Sequence, residues 1–376
     1  MSLPPYKLIT NDADWQACLK QLQAEPQLAI DLEANSMYAY REQVCLIQIS
    51  IPTQDFIIDP VAPIDLAGLG ELIANPDVEK VFHAAEYDLM LMKRQYGWRL
   101  RSLFDTMWAA RILGYERYGL ANILDTVYEV KLNKRYQKSN WCKRPLTSDQ
   151  LAYAQHDTHF LLALRDFFAA ELEEASRTHE AALIFTEQSE VKLSDNSFDP
   201  NSFWSLKGAR DLTRQQQAIL KELHIYRNEE AMRRNQPLFK VFSTKTLVEL
   251  AAEEPEHQAS LRHIHGMSSG QIRRYGKKLL AVIKKGKHLP PPPRPKRNKR
   301  PPEDVVQRYE QLHQWRKQTA QKRGVESDVI ISRDALWSMA TQFPQTIDDL
   351  AQIDLVGAWR CDTYGSDILA VLNNGI

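Results

Sequence analysis

The chain has 376 residues, of which 43% are apolar, enough to bury the cores of two or three domains. Its formal net charge is zero, yet residues 1–200 carry a net charge of −10 and residues 201–376 one of +10. This division indicates a polyanionic partner such as nucleic acid. The first ten residues predict no secretory signal, no apolar run predicts a membrane span, and the scattered cysteines predict neither a disulfide framework nor a cysteine-rich zinc site. These features are typical of a cytoplasmic protein with no membrane partner.

Short apolar runs between residues 28 and 60, bounded by Pro, Asp and Asn, predict buried strands. Leu and Met then recur at helical spacing over Tyr87–Tyr96 and Phe104–Leu113, and apolar residues do so again over Leu151–Leu172. Strands followed by helices predict an α/β domain, which we place at residues 1–195.

The second half contains an internal repeat at an offset of 89 residues. Leu223 corresponds to Leu312, and Tyr-Gly and Leu-Ala-Val sequences recur further along at the same offset. The repeat predicts two small all-helical modules at residues 208–289 and 303–376. The Pro/Lys/Arg-rich residues 290–302 between them predict an extended linker, because proline disfavours helix and cannot donate to a sheet.

The two modules differ in charge. Residues 201–300 carry 22 basic and 8 acidic side chains, whereas residues 301–376 carry 7 and 11. If the modules bind nucleic acid, the first module and the linker are therefore the expected surface. The acidic second module is compatible with RNA binding, with packing on the α/β domain or with a protein partner.

Carboxylates that suit metal binding occur at three separated places. Asp31 and Glu33 alternate with an apolar residue in a predicted strand, so both side chains point to one face. Asp88 lies near the start of a predicted helix, and Tyr153 and Asp157 lie one turn apart on another. Adjacent acids repel each other, and a divalent cation relieves that repulsion. Taken singly, each pattern also has an ordinary explanation. The strand pair fits solvated surface acids, Asp88 fits a favourable contact with the helix dipole, and Tyr153 fits a tyrosine packed beside a surface acid.

In chain order, the patterns D-x-E, F-H-x-x-x-x-D and Y-x-x-x-D resemble the motifs of the DEDD exonuclease superfamily in its DEDDy branch. The DEDDh branch does not fit, because Ala152 stands where that branch has histidine. The surroundings, including Val-Phe-His at 81–83 and Gly-Leu-Ala at 119–121, resemble the ribonuclease D family, and the repeated module resembles the HRDC domain. The resemblance implies a ribonuclease H-like α/β 3′–5′ exonuclease domain, with a mixed sheet flanked by helices, followed by two all-α HRDC-type modules.

The resemblance also implies a site. It assigns Asp31, Glu33, Asp88 and Asp157 to the binding of two divalent metal ions, Mg²⁺ or Mn²⁺, and it implies no organic cofactor. Asp31, Glu33 and Asp157 are expected to hold one ion, and Asp31 with Asp88 the other. Tyr153 is expected to position the attacking water, because a phenol of ordinary pKa near 10 is a weak base at neutral pH.

Basic and aromatic residues alternate over residues 131–144, a pattern typical of single-stranded nucleic-acid binding and also compatible with a solvated loop. Lys138, Trp141 and Arg144 are the expected RNA contacts. No base-specific reader is visible, so the expected partner is RNA with a free single-stranded 3′ end. The resemblance implies tRNA precursors and other small structured RNAs, trimmed to release nucleoside 5′-monophosphates.

Several polar neighbours of these motifs fit ordinary packing. Asp105 is expected to be structural at a helix start, and His83 to be a packed strand residue. Gln155 and His156 stand where relatives have small residues, a departure that bears on substrate handling.

Two other functions remain open. A Werner-type exonuclease acting on DNA would share these motifs, although the chain has no helicase P-loop. A non-catalytic RNA-binding scaffold would not need clustered negative charge, so the retained acids argue against it.

Overall fold

The computed structural model describes residues 3–193, 195, 197–296 and 300–373. The chain divides into two compact units. The first consists of Met1–Ala34, Val44–Leu193 and Arg300–Ile376, and the second of Asn35–Gln43 and Ser194–Lys299. Each unit therefore combines separate stretches of the chain. Within the described ranges, no helix combines the length and the apolar character that crossing a membrane requires.

The first unit is built on a mixed sheet. Its strands within the described residues are β1 (Lys7–Ile9), β2 (Gln27–Ala34), β3 (Val44–Ile51), β4 (Gln54–Ile58), β5 (Glu79–Phe82) and β6 (Leu103–Asp105). They lie in the order β1-β4-β3-β2-β5-β6. Because β2 pairs antiparallel with β3 and parallel with β5, its side chains lie at the middle of the sheet. The mixed sheet with flanking helices confirms the expected fold class.

Helices cover this sheet. Those of the α/β region are α1 (Asp12–Leu22), α2 (Ala67–Ala74), α3 (Glu86–Tyr96), α4 (Thr106–Ile112), α5 (Leu120–Tyr128), α6 (Ser148–His159), α7 (Leu161–Glu174) and α8 (Thr178–Ser189), with a short 3-10 helix at Lys134–Tyr136. The core between sheet and helices includes Trp15, Phe56, Phe82 and Phe168, all fully buried. Burying a phenylalanine side chain contributes about 1.5–3 kcal/mol to folding, so this core stabilises the sheet that carries Asp31 and Glu33.

Two predicted helices differ from the observed ones. Phe104 lies in β6 rather than in a helix, because the Asp105 side chain caps α4 by accepting hydrogen bonds from the backbone N–H of Met107 and Trp108. The predicted helix over Leu151–Leu172 is divided into α6 and α7 at Phe160. The apolar spacing continues across this break and does not reveal it.

The repeat appears in the structure as two sets of helices. The first module contains α9 (Arg214–Arg234), α10 (Leu238–Val241), α11 (Thr244–Glu253) and α12 (Ser269–His288), and the second contains α13 (Glu303–Arg323), α14 (Ser327–Ile330), α15 (Arg333–Gln342), α16 (Ile347–Ala351) and α17 (Ala358–Asn373). Short 3-10 helices lie at Pro200–Ser205 and Ser260–His263. Four helices of the described second module begin 89 residues after their counterparts in the first.

The second module belongs to the same compact unit as the sheet. The Arg111 guanidinium on α4 lies 2.6 Å from Glu326 and 2.7 Å from Asp328. From the module, Arg360 reaches Glu187 on α8 at 2.5 Å. The acidic sequence of the second module was compatible with three roles. The structure shows one of them, packing on the α/β domain.

A disulfide joins Cys45 on β3 to Cys142. It ties the segment that precedes α6 to the sheet. The sequence gives no local signal for this bond, because 97 residues separate the two cysteines.

Candidate active site

Strand β2 carries the first two acids of the site. Asp31 lies opposite Gln48 of β3 and Glu33 lies opposite Leu46, so the strand alternation places both carboxylates on one face. Leu32 between them is buried at 7% exposure. The predicted arrangement of this D-x-E pair is therefore observed.

Helix α6 brings the third acid to the same face. The helix begins with a capping box, in which the Thr147 side chain accepts from the Gln150 N–H and the Gln150 side chain accepts from the Thr147 N–H. Tyr153 and Asp157 follow on one face, and α6 packs against β2, β3 and β4. As a result, carboxylate oxygens of Asp31, Glu33 and Asp157 all lie within 4.8 Å of one another.

Asp88 enters from the first turn of α3. The turn before this helix contains Ala84 in the left-handed region, at φ 66°. Asp105 holds the turn, because its carboxylate accepts hydrogen bonds from the N–H of Ala84 at 3.1 Å and of Ala85 at 2.8 Å. Asp105 is thus the structural residue that the sequence predicts. Asp88 is 6% exposed and lies outside the closely spaced group of three acids.

The four acids repel one another in a poorly solvated place. Burial, and then the charges of Asp31, Asp157 and Asp88, raise the pKa of Glu33 to about 10. Burial raises the pKa of Asp31 to about 7. Burial and neighbouring carboxylates, Asp31 first among them, also raise the pKa values of Asp88 and Asp157 well above 3.8. A divalent cation among these oxygens would supply the missing opposite charge, and an oxygen-only donor set suits Mg²⁺ or Mn²⁺.

Tyr153 borders the same group of acids. Burial raises the pKa of its phenol above the ordinary value of 10, and the nearby carboxylates, first of all Asp157, raise it further. A hydrogen bond with Gln137 acts in the opposite direction on this pKa. At neutral pH the group is therefore a neutral hydroxyl, suited to orienting a water molecule and unsuited to removing its proton.

A small open cavity joins these side chains. It measures about 190 Å³ and is lined by Asp31, Leu32, Glu33, His83, Leu120, Gln137, Tyr153 and Asp157. Gln137 and Leu120 were not candidates from the sequence, although Gln137 lies in the basic and aromatic segment 131–144 and Leu120 in the Gly-Leu-Ala motif at 119–121. His83 lies 2.9 Å from Thr106 through Nδ1, and burial lowers the pKa of its imidazole to about 4, as expected for a packed neutral histidine.

A second cavity of about 330 Å³ shares Tyr153 and Asp157 with the first. Its wall includes the cations Lys131 and Arg135, together with His156. The departure from small residues before the last Asp therefore places an imidazole in the wall of this second cavity, together with Asp157.

The predicted RNA contacts have different placements. Lys138 is exposed on the segment that precedes α6. Trp141 is only 1% exposed, and Arg144 binds Asp59 at 2.6 Å and the Cys45 carbonyl at 2.7 Å. This corrects the expectation for Trp141 and Arg144, because a buried indole cannot stack on a base and an engaged guanidinium holds the protein segment instead.

Comparisons with known proteins agree with this geometry. The family model of 3′–5′ exonucleases matches residues 6–173, and the HRDC domain model matches residues 216–283 and 306–372. Exonucleases of this fold use divalent metal ions. The fold and the acidic site thus define a 3′–5′ exonuclease with two HRDC domains.

Full-length relatives identify the family. The chain is 30% identical over 379 residues to ribonuclease D of Acidiphilium cryptum, covering 98% of this chain and 93% of that protein. It is 29% identical over 377 residues to ribonuclease D of Gluconacetobacter diazotrophicus, with the same coverage. The fold is shared with the crystal structure of Escherichia coli RNase D, at a TM-score of 0.68, 24% identity and 99% coverage of both chains. The chain belongs to the ribonuclease D family and is a 3′–5′ exoribonuclease.

Proposed function

We propose that this exoribonuclease trims single-stranded 3′ tails of tRNA precursors and other small structured RNAs, releasing nucleoside 5′-monophosphates. We further propose that Mg²⁺ or Mn²⁺ is its metal, with two ions at the site. Because tRNA precursors are cytoplasmic RNAs, the proposal places the protein in the cytoplasm. It includes no organic cofactor.

One observation carries the proposal: Asp31, Glu33 and Asp157 bring their oxygens within 4.8 Å of one another beside a tyrosine hydroxyl. In a protein that only binds a polyanion, such a cluster would lower the affinity, since the acids repel phosphate. A hydrolase gains from it, because bound divalent ions generate a nucleophile at neutral pH and stabilise the departing oxygen.

Each residue has a part in this proposal. Asp31, Glu33 and Asp157 would hold one ion, and Asp31 with Asp88 the other, directly or through water. The Tyr153 hydroxyl would hydrogen-bond the attacking water and hold it in line with the scissile phosphate. The exposed Lys138 would contact the RNA backbone.

The domain division is part of the same proposal. It assigns catalysis to residues 1–195, RNA capture to the basic module at 208–289 with its linker at 290–302, and support of the catalytic domain to the module at 303–376. The ion pairs of Arg111 and Arg360 support the last assignment.

The test uses matched 5′-labelled hairpins of RNA and DNA, each with a single-stranded 3′ tail, in Mg²⁺, Mn²⁺ or EDTA. Wild-type protein is compared with Asp31→Ala by time-resolved gel electrophoresis. The expected result is a ladder that shortens from the 3′ end of the RNA, stops near the hairpin and is absent in EDTA and in the variant. Equal or faster loss of DNA would assign the enzyme to the Werner-type alternative, and no shortening of either polymer would favour a scaffold.

A further inference from the structure

Three large apolar side chains of the second unit are exposed to solvent. Among the residues described in this unit, the exposed large apolar side chains are Met37 at 40%, Met232 at 57% and Phe239 at 56%. They come from distant parts of the sequence, and each lies within four residues of a side chain that joins residues 35–43 to the first module. Single exposed apolar residues are common on protein surfaces, but a cluster of them marks a binding site.

Helix α9 and Tyr40 build one side of this cluster. The Tyr40 hydroxyl donates to Asn228 at 2.6 Å, and the Tyr40 N–H donates to the Asn235 side chain at 3.1 Å. Met232 lies four residues after Asn228 and three before Asn235, on the helix face that receives Tyr40. Met232 thus lies on the same face of α9 as the residue that accepts from the Tyr40 hydroxyl, with its side chain 57% exposed.

Helix α10 builds the other side. The Lys240 ammonium lies 4.0 Å from the centre of the Tyr38 ring, a cation–π contact that fixes residues 37–40 next to α10. Phe239 immediately precedes Lys240, and Met37 immediately precedes Tyr38. We name the resulting surface the Tyr38 platform. It consists of Met37, Tyr38, Tyr40, Met232, Phe239 and Lys240.

The repeat shows that the module fold does not require this exposure. At the offset of 89 residues, Phe239 corresponds to Asp328 and Met232 to Gln321. In the second module Asp328 binds Arg111 on the α/β domain. The position of Phe239 is thus polar and engaged in one copy, and apolar and open to solvent in the other.

We propose that the Tyr38 platform binds unpaired nucleotides of the RNA substrate, an inference that rests on the proposed exoribonuclease function. Exposed Phe239 offers a ring face on which a base can stack, and Lys240, together with the exposed Arg41, offers charge for the phosphates. The surrounding sequence, residues 201–300, has a net charge of +14, which complements a polyanion.

The chain itself connects the platform to the catalytic strand. Met37 follows Glu33 by only four residues in the sequence. The positive charge of residues 201–300 is the reason for assigning the platform to unpaired RNA and not to a protein partner.

The test measures RNA binding by the full-length protein in EDTA, so that no hydrolysis is needed. Fluorescence anisotropy compares a labelled 12-nucleotide oligouridylate with a blunt 12-base-pair RNA duplex. Phe239→Ala is expected to raise the Kd for the single strand about tenfold and the Kd for the duplex less than twofold, since stacking is available only to unpaired bases. Phe239→Trp is expected to restore binding, and Val61→Ala, which truncates a 49% exposed apolar side chain on the catalytic domain, is expected to have no effect.

Several outcomes would overturn this assignment. An unchanged Kd for the single strand, an equal loss on the duplex, or a shift in oligomeric state on light scattering with RNA binding intact would each do so. Should Phe239→Ala unfold the module by circular dichroism, photocrosslinking of 5-iodouridine RNA to wild-type protein decides instead. Crosslinks at Phe239 or Tyr38 support the platform, and crosslinks confined to other residues refute it. Because these readouts need no cleavage, they are independent of the ladder experiment.

Discussion

The Arg323 guanidinium donates to both carboxylate oxygens of Glu180, at 2.8 and 2.6 Å, across the boundary between the second module and helix α8. Glu180 is 1% exposed, and Arg323 also donates to the Tyr364 hydroxyl at 2.5 Å. A carboxylate this deeply buried depends on its partner, because no solvent is present to replace the guanidinium.

Removing Arg323 should therefore destabilise the protein strongly. Arg323→Ala leaves Glu180 buried without its counter-charge, and we expect a loss on the order of 3–5 kcal/mol in the free energy of unfolding, measured with urea. Arg300→Ala is the matched control, since its pair with Glu303 has side chains 77% and 80% exposed. Equal stability of the two variants would show that the second module does not depend on this ion pair.

Tyr153→Phe should lower the rate of cleavage with little change in RNA affinity. The variant keeps the ring and its packing near Trp141, 5.8 Å away between ring centres, and removes only the hydroxyl that would orient the water. We expect a fall in kcat of about a hundredfold with KM nearly constant. Tyr115→Phe, which removes a hydroxyl from another partly buried tyrosine, serves as the control. Near wild-type turnover by Tyr153→Phe would remove the residue from the mechanism.

Without metal, the protein should become less stable as the pH rises. The pKa of Asp31 is about 7 in the folded protein against an ordinary value of 3.8, so the folded state binds the proton more tightly than the unfolded chain. The stability from this proton is complete below pH 3.8 and is lost as the pH rises through 7. In EDTA we expect a lower Tm at pH 8 than at pH 5, with a smaller difference in Asp31→Asn. The exposed control Glu116→Gln should keep the wild-type difference.

Metal affinity should increase as the pH rises. Carboxylates must lose their protons to bind a cation, so Mg²⁺ or Mn²⁺ should bind more tightly at pH 8 than at pH 6 and release protons on binding. Isothermal titration calorimetry in buffers of different ionisation enthalpy measures this release. Glu33→Gln should weaken binding more than Asp88→Asn, because Asp88 lies outside the group whose oxygens lie within 4.8 Å. The reverse order would require a different arrangement of ligands.

Asp105→Ala should damage both stability and catalysis. Its carboxylate accepts hydrogen bonds from the N–H groups of Ala84, Ala85, Met107 and Trp108, and losing these acceptors leaves buried donors unpaired. We expect a loss of about 2–4 kcal/mol in unfolding free energy, together with reduced kcat through displacement of Asp88. Asp105→Asn keeps one acceptor oxygen, so its unfolding free energy and its kcat should lie between those of the wild type and of Asp105→Ala. If Asp105→Ala were destabilised but fully active, the turn that Asp105 holds would not be needed to position Asp88.

The parts of the fold that follow a local period could be predicted from the sequence. Alternation in β2 placed Asp31 and Glu33 on one face, helical spacing placed Tyr153 beside Asp157, and the repeat at 89 residues reappears in the starts of corresponding helices. Strand β1 has only three residues, too few for a period to show.

Features that depend on distant partners were beyond this kind of inference. The alternation of basic and aromatic residues suggested open RNA contacts at Trp141 and Arg144, but burial and the pair with Asp59 are decided by elements far away in sequence. The same holds for the Cys45–Cys142 bond and for the docking of the second module.

The division of the chain bears on how the protein is made. The catalytic sheet shares its compact unit with Arg300–Ile376, while the intervening Ser194–Lys299 belongs to the other unit. During synthesis, the α/β domain therefore exposes Glu180 and Glu187 until their arginine partners have been added. Arg323 lies 143 residues after Glu180, and Arg360 lies 173 residues after Glu187, so these two buried contacts can form only once most of the second module has been synthesised.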